Sequence, residues 1–499
     1  MGGQGVNNKF KDGNRYTIPQ WRLYKNTKKT GELDCAKNDI KKNIQDYTYV
    51  LDKAKYEFET YGTIPYAANL VSTAFYYDNY DIAKDAAEFL SQSIEILSSK
   101  LILKQVNNIL GKNEIEKEEQ PTGKYNRSVK EFREKTQMFP NNPYYWIDLA
   151  FCYSAIGKNI KALKCIMIAL QLNKNDRFVL RSASRFFQHN EEPDRALHIL
   201  RASDRIKVDP WIIASEISIS DAIGKTSRYI KAADIIIESK NFSPFATCEA
   251  NSALGTIQID SGNFKKGKQY FKQALVNPND NSLAQAEFIR YQRKININVE
   301  NFTNNIPLLY ESAALISFWV NNNWREAAEK CLKWQNDIPY SSAPAVFGSY
   351  IACELLCDYE MARKITEKGL LANKEDEELL NNYAYALICL GELENAEIAL
   401  KRRKNVNKNY VTATATRGLL EYRKGNVETG RALYDEAINA CKKSEVDILA
   451  LAYFHLASEE LRQKTSEAGK YKELAEEKMK QMEKENRKDM VAIYNALIK

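Results

Sequence analysis

Histidine is nearly missing from this chain: His189, His198 and His455 are the three in 499 residues. No two of them stand at a spacing that holds a metal, and each reads as a surface or locally satisfied helix residue. Glycine-rich phosphate loops are missing too. The run Gly2-Gly-Gln-Gly5 follows no strand and leads into no Gly-Lys-Ser/Thr. No serine sits in a nucleophile elbow. No apolar run approaches the roughly 20 residues of a membrane span. The segment Met1–Val6 lacks the basic-then-apolar order of a secretory leader, and Val6 stands where a myristoylation signal needs Ser or Thr. These absences predict a cytoplasmic protein without enzymatic activity: no catalytic residue, no cofactor and no metal site is expected.

The nine cysteines are odd in number and unclustered, which argues against a disulfide framework. Cys353 and Cys357 are four apart on one helical face but lack a second ligand pair nearby. Charge of one sign is also scarce. Lys and Arg number 72 against 65 Asp and Glu, a net of +7. Lysine and glutamate alternate along most of the chain, which fits solvated helix faces and disfavours a continuous basic stripe. Hydrophobic residues at 44% suffice for a soluble helical protein.

What the chain does have is one phrase written eight times: Asp78-Asn-Tyr-Asp-Ile-Ala83, Gly157-Lys-Asn-Ile-Lys-Ala162, Glu191-Glu-Pro-Asp-Arg-Ala196, Gly262-Asn-Phe-Lys-Lys-Gly267, Asn322-Asn-Trp-Arg-Glu-Ala327, Cys357-Asp-Tyr-Glu-Met-Ala362, Gly391-Glu-Leu-Glu-Asn-Ala396 and Gly425-Asn-Val-Glu-Thr-Gly430. Ala162 to Ala196, Ala362 to Ala396 and Ala396 to Gly430 are each 34 positions, and Ala327 to Ala362 is 35. A period near 34 around a turn that ends on a small residue marks a helix-turn-helix array.

The phrase sits in a wider pattern. Trp146, Leu149, Ala150, Tyr153, Gly157, Ala162 and Ala169 form one copy. Leu254, Gly255, Gly262, Phe271, Ala274 and Pro278 form a second, and Leu387, Gly391, Ala396 and Leu400 a third. On these residues the chain resembles the tetratricopeptide repeat (TPR) family. That resemblance implies an all-α fold: a right-handed α-solenoid of about nine TPR-like repeats with capping helices. The units fall at roughly 64–97, 143–176, 177–210, 213–246, 248–281, 308–341, 343–376, 377–410 and 411–444.

Around this array the sequence divides as follows. Residues 1–34 are a polar tail, mostly irregular, and 35–110 an N-terminal helical module with one repeat. A charged linker covers 111–124. The first half of the array is 125–281 and the second is 308–444. Between them, 282–307 breaks the register with one extra helix near 283–295 and a loop, a candidate hinge. Residues 445–499 are capping helices. The tail carries one compact phrase, Tyr16-Thr-Ile-Pro-Gln-Trp-Arg22. Two readings stay open for it: Trp21 and Arg22 fold back onto the first repeat, or they form a docking tail for another subunit.

In the TPR family the concave groove is lined by set positions of each first helix. Carried over, they give Tyr144, Phe151, Phe178, Arg181, Arg185, Trp319, Asn381, Tyr385 and Tyr422 as partner-binding candidates. Arg181 and Arg185, four apart and flanked by Tyr144 and Phe178, predict a basic, aromatic-walled site for an acidic peptide or phosphate. Salt bridges to acids of a neighbouring repeat are the alternative. The family implies a scaffold or adaptor that binds a protein partner or peptide segment. The Lys, Asn, Ile and Tyr richness suggests a bacterial origin, and analogy of fold then suggests an accessory or regulatory subunit of a hetero-oligomeric effector or antiviral-defence complex. Binding of nucleic acid, and a sensor that closes around a peptide or small ligand, are the other readings; no membrane partner is expected.

Overall fold

The computed structural model describes residues 18–30, 47–76, 79–92, 99–111, 121–299, 308–403, 411–442 and 445–498. The charged stretch 112–120, the loop 300–307, Cys35 and the start of the 35–110 module lie outside the described residues. Among the described residues every regular element is helical. The chain forms two compact units, 34–135 and the rest.

In the smaller unit, Tyr47–Tyr61, Ile64–Tyr76, Lys84–Ser91 and Lys100–Ile109 pack around Leu51, Leu70, Val71, Ala83, Leu90 and Val106. Its buried alanines, Ala67, Ala74, Ala86 and Ala87, let the helices approach closely.

The larger unit is a stack of helix pairs. The successive pairs are Pro143–Ala155 with Asn159–Leu172, Arg177–His189 with Pro193–Ala202, Pro210–Ala222 with Ile230–Glu238, and Pro244–Asp260 with Phe264–Ala274. After the single helix Asp280–Gln292 come Tyr310–Trp319 with Trp324–Asp337 and Ala343–Tyr350 with Tyr359–Ala372. Glu377–Cys389 with Leu393–Lys401 and Val411–Arg423 with Val427–Ala440 follow. Val446–Arg462, Ala468–Lys484 and Lys488–Ile498 complete the unit. The extra helix in the 282–307 interruption is thus present, starting and ending about three residues earlier than its sequence pattern suggests.

Local chemistry explains where these helices begin. Asn142, Asp176, Asp209, Ser243, Asn279 and Asp376 cap them, each side-chain oxygen accepting a first-turn backbone N–H. Pro143, Pro210 and Pro244 follow three of those caps at the position where a missing N–H costs nothing.

The repeated phrase resolves into two physical demands. Its first residue has positive φ at Gly157, Glu191, Gly262, Asn322, Cys357, Gly391 and Gly425. That left-handed residue ends the first helix and turns the chain. Its last residue is buried at Ala83, Ala162, Ala196, Gly267, Ala327, Ala362, Ala396 and Gly430, where the second helix crosses the first. A Cβ on Gly430 would lie 2.6 Å from the Tyr422 ring, and one on Gly267 would lie 2.5 Å from Ile259.

The stack comes round on itself. At Gly157 an added Cβ would sit 2.9 Å from the carbonyl oxygen of Leu371 and 3.2 Å from that of Ala372. The turn of the 143–172 pair therefore abuts the end of helix Tyr359–Ala372, and the concave face between them becomes an enclosed channel.

Two substitutions separate these effects. Cys357→Gly should raise stability by about 0.5–1 kcal/mol, because only the side chain is strained at that φ. Gly425→Ala should cost about 1 kcal/mol, and Gly157→Ala clearly more, since its Cβ also meets two carbonyl oxygens. Urea midpoints at matched slopes measure all three.

Candidate functional site

The channel holds a segment of the chain's own N-terminal region. Residues 18–23 carry no regular secondary structure, and Tyr24–Lys29 form a short helix. Trp21 is 0% exposed. Its indole meets the edges or faces of Phe151 at 5.4 Å, Phe186 at 6.1 Å and Tyr340 at 5.1 Å between ring centres. Its backbone N–H donates to the Tyr340 hydroxyl at 3.2 Å. Phe151 and Tyr340 also touch each other across the channel, 5.8 Å apart.

Arg22 is the charged anchor. Its Nε donates to Asp337 Oδ2 at 2.7 Å, and its Nη2 donates to Asp280. Guanidinium and carboxylates are all buried. Burial drives the Asp280 pKa up; Arg22 opposes this, while Asp337 and Glu311 add to it. The net shift is upward, as expected for a carboxyl placed in a dry cluster of like charge.

The rest of the segment is held at intervals. Asn281 Nδ2 donates to the Ile18 carbonyl at 3.0 Å. Gln20 reaches Glu311 at 3.4 Å. The Tyr24 N–H donates to Asp148 Oδ1 at 2.8 Å, while its ring stacks on Tyr144 at 4.3 Å with an 8° tilt and packs edge-on to Phe178 at 5.1 Å. Residues 18–24 therefore fold back along the channel, from the first pair of the array to Tyr340. The reason is local: between polar flanks, Ile18, Trp21, Arg22 and Tyr24 supply enough apolar area and charge pairing to outweigh the ordering cost.

Of the predicted groove residues, Tyr144, Phe151, Phe178 and Arg185 come together around this segment. The Arg185 guanidinium lies over the Tyr340 ring at 5.5 Å. Arg181 does not join it in a basic site. It is buried and bidentate to Glu249, at 2.8 and 3.1 Å. Glu249 Oε1 also accepts from Asn279 at 2.9 Å and Asn281 at 3.0 Å. An acid two repeats on thus neutralises the charge that spacing alone would assign to a ligand.

The remaining four stand elsewhere. Trp319 stacks with Tyr291 at 6.1 Å, and Arg487 lies over it at 5.3 Å. Asn381 is buried. Tyr385 packs against His455 at 5.4 Å. Tyr422 is fully buried, and its hydroxyl donates to Glu460 at 2.5 Å. Around Tyr385 and Tyr422 the capping helices and their core fill the space that an open groove would occupy.

Asp148, Phe186, Asp280, Asn281, Asp337 and Tyr340 were not legible as site residues. One signal existed. Asp337 ends its helix, where the dipole disfavours an acid, so an acid there calls for a cation.

Two histidines take opposite environments. Burial, then the Arg185 charge, holds His189 down to about 3, and its enclosed Nε2 has no hydrogen-bond partner. Burial alone would lower His455, but Glu354, at 2.9 Å, raises it above the ordinary value.

No family model matches the chain. Over 345 residues it is 22% identical to the TPR repeat-containing protein MJ1428 of Methanocaldococcus jannaschii, a match covering 67% of this chain and 57% of that one. The chain thus spans little more than half the length of that relative. Three solved structures superpose loosely. The Cut9–Hcn1 hetero-tetramer of the APC/C gives 10% identity, 93% and 95% coverage and a TM-score of 0.31. An IFIT1 monomeric mutant with Gppp-AAAA gives 11%, 83% and 100%, and 0.31. Yeast Tom70 gives 14%, 88% and 96%, and 0.29.

The site generates two predictions. Trp21→Ala should cost about 3–5 kcal/mol by emptying a fully packed aromatic pocket. Arg22→Ala should cost a similar amount by stranding two buried carboxylates, and the double variant should cost less than the sum; chemical denaturation reads all three. For pH, His189 stays neutral when folded but protonates when unfolded. Stability is therefore lost as pH falls below 6.5, by about 2 kcal/mol between pH 6.5 and 5. His189→Gln should flatten that acid limb. His455 has the reverse sign: its contribution is complete below pH 6.5 and lost as pH rises through its elevated folded pKa.

With its periodic turn phrase, its buried small residues at each helix crossing and its stacked helix pairs, the chain is an α-solenoid of helix-turn-helix repeats, similar to TPR proteins.

Proposed function

We propose that this protein is a non-enzymatic scaffold that captures a peptide segment of a protein partner in the channel lined by Tyr144, Phe151, Phe178, Arg185 and Tyr340. The observation that carries this reading is the occupied channel itself: it holds a non-helical stretch, residues 18–23, by an indole pocket, a buried ion-pair site and side chains that reach backbone groups. Those are the elements of peptide recognition, in which pockets supply specificity and backbone contacts supply register. The carboxylates of Asp148, Asp280, Asp337 and Glu249 on the same surface disfavour a phosphodiester backbone.

Photocrosslinking in the native host tests the location. Benzoylphenylalanine replacing Tyr144 should trap a protein partner that survives nuclease treatment. The same group replacing the exposed Ile235 should not. Crosslinks to a partner from position 235 alone would move the interface off the channel. Recovery of nucleic acid alone would overturn the scaffold reading.

A further inference from the structure

We infer that Ile18–Thr30 is an exchangeable internal ligand, and that the outside partner displaces it by presenting an aromatic residue followed by arginine in place of Trp21 and Arg22. This rests on the channel being the site of capture.

The occupant's chemistry follows from what the channel would contain without it. Asp280 and Asp337 are both buried, with Glu311 nearby. With Arg22 withdrawn, these carboxylates lose the guanidinium that lies between them. Like charges in a dry site do not stay ionised and unpaired, so the emptied channel selects an occupant that returns a cation at that point. Two separate carboxylate oxygens, reached by Nε and Nη2, fit the planar fork of arginine better than the point charge of lysine. One residue earlier, the pocket of Phe151, Phe186 and Tyr340 takes a flat aromatic ring. Both anchors sit on adjacent residues, so one short segment satisfies both.

Exchange is open to the segment because residues 18–23 form no helix of the repeat stack. Its Ile18 packs on Ala222, while the clusters that join the pairs between Ile259 and Ala386 hold none of its residues. Tethered to the channel it fills, the segment acts at high effective concentration and lowers the apparent affinity of any competitor.

The probe is a fluorescein-labelled synthetic peptide with the sequence of residues 16–30, followed by anisotropy. It should bind the full chain carrying Trp21→Ala and Arg22→Ala at least about tenfold more tightly than the unmodified chain, whose own segment competes. A peptide with glutamate at the arginine position should lose binding at least about tenfold. Adding Asp280→Asn and Asp337→Asn to the variant should weaken the parent peptide similarly.

Equal binding to both chains overturns the inference. So does failure to bind a variant that circular dichroism shows to be folded. Hydrogen exchange on the unmodified chain decides the matter if the variant does not fold. Excess peptide should then speed exchange of the Trp21 and Tyr24 amides while the repeat helices stay protected. Exchange of those two amides only together with the repeat helices means the segment is a fixed part of the fold, and sinks the proposal. If the peptide fails but crosslinks from position 144 still reach a partner, this inference falls and capture in the channel stands.

Discussion

Each repeat depends on two helices crossing at a point where one of them has almost no side chain. That point is the last residue of the turn phrase. It is alanine or glycine in every copy because a larger group would meet the facing helix at well under van der Waals distance. Gly430 against Tyr422 and Gly267 against Ile259 show how little room remains. Close crossing fixes the angle within a pair, and equal pairs in series turn that angle into curvature. When curvature has brought the turn at Gly157 against the carbonyls of Leu371 and Ala372, the concave face has become a channel.

A closed channel changes the electrostatics of whatever lines it. An exposed Asp on an open solenoid face pairs weakly with passing cations. In the channel, Asp280 and Asp337 are removed from water, and only an ion that fits between them at hydrogen-bond distance makes them tolerable. Arg22 does so, and the neighbouring Trp21 fills the aromatic pocket beside it. Arg181 and Glu249 solve the same problem within the array, and that pairing is why the arginines do not make the basic site their spacing suggests.

The repeats themselves were legible in the sequence. Period, turn residue and small crossing residue are local requirements, each met within about 34 positions, so every copy carries them. The exceptions were legible as exceptions: Glu191, Asn322 and Cys357 take the left-handed position usually given to glycine, and the phrase around them still identifies it. Tyr144, Phe151, Phe178 and Arg185, which the TPR resemblance gives as groove positions, lie around residues 18–24. Trp319, Asn381, Tyr385 and Tyr422 occupy equivalent positions but do not line the channel. What covers a helix face in a given pair depends on its neighbours and not on its own register.

The sequence by itself determined a helical array with its turns, caps and crossings, because those are set by contacts between residues close along the chain. Only the tertiary structure decided that the array closes, and that residues 18–30 lie inside it. The deciding contacts join Trp21 to Tyr340 and Arg22 to Asp337 and Asp280, across 319, 315 and 258 positions of chain. Such contacts have no period. They arise from small rotations summed over many repeats, and no single repeat's sequence encodes where that sum ends.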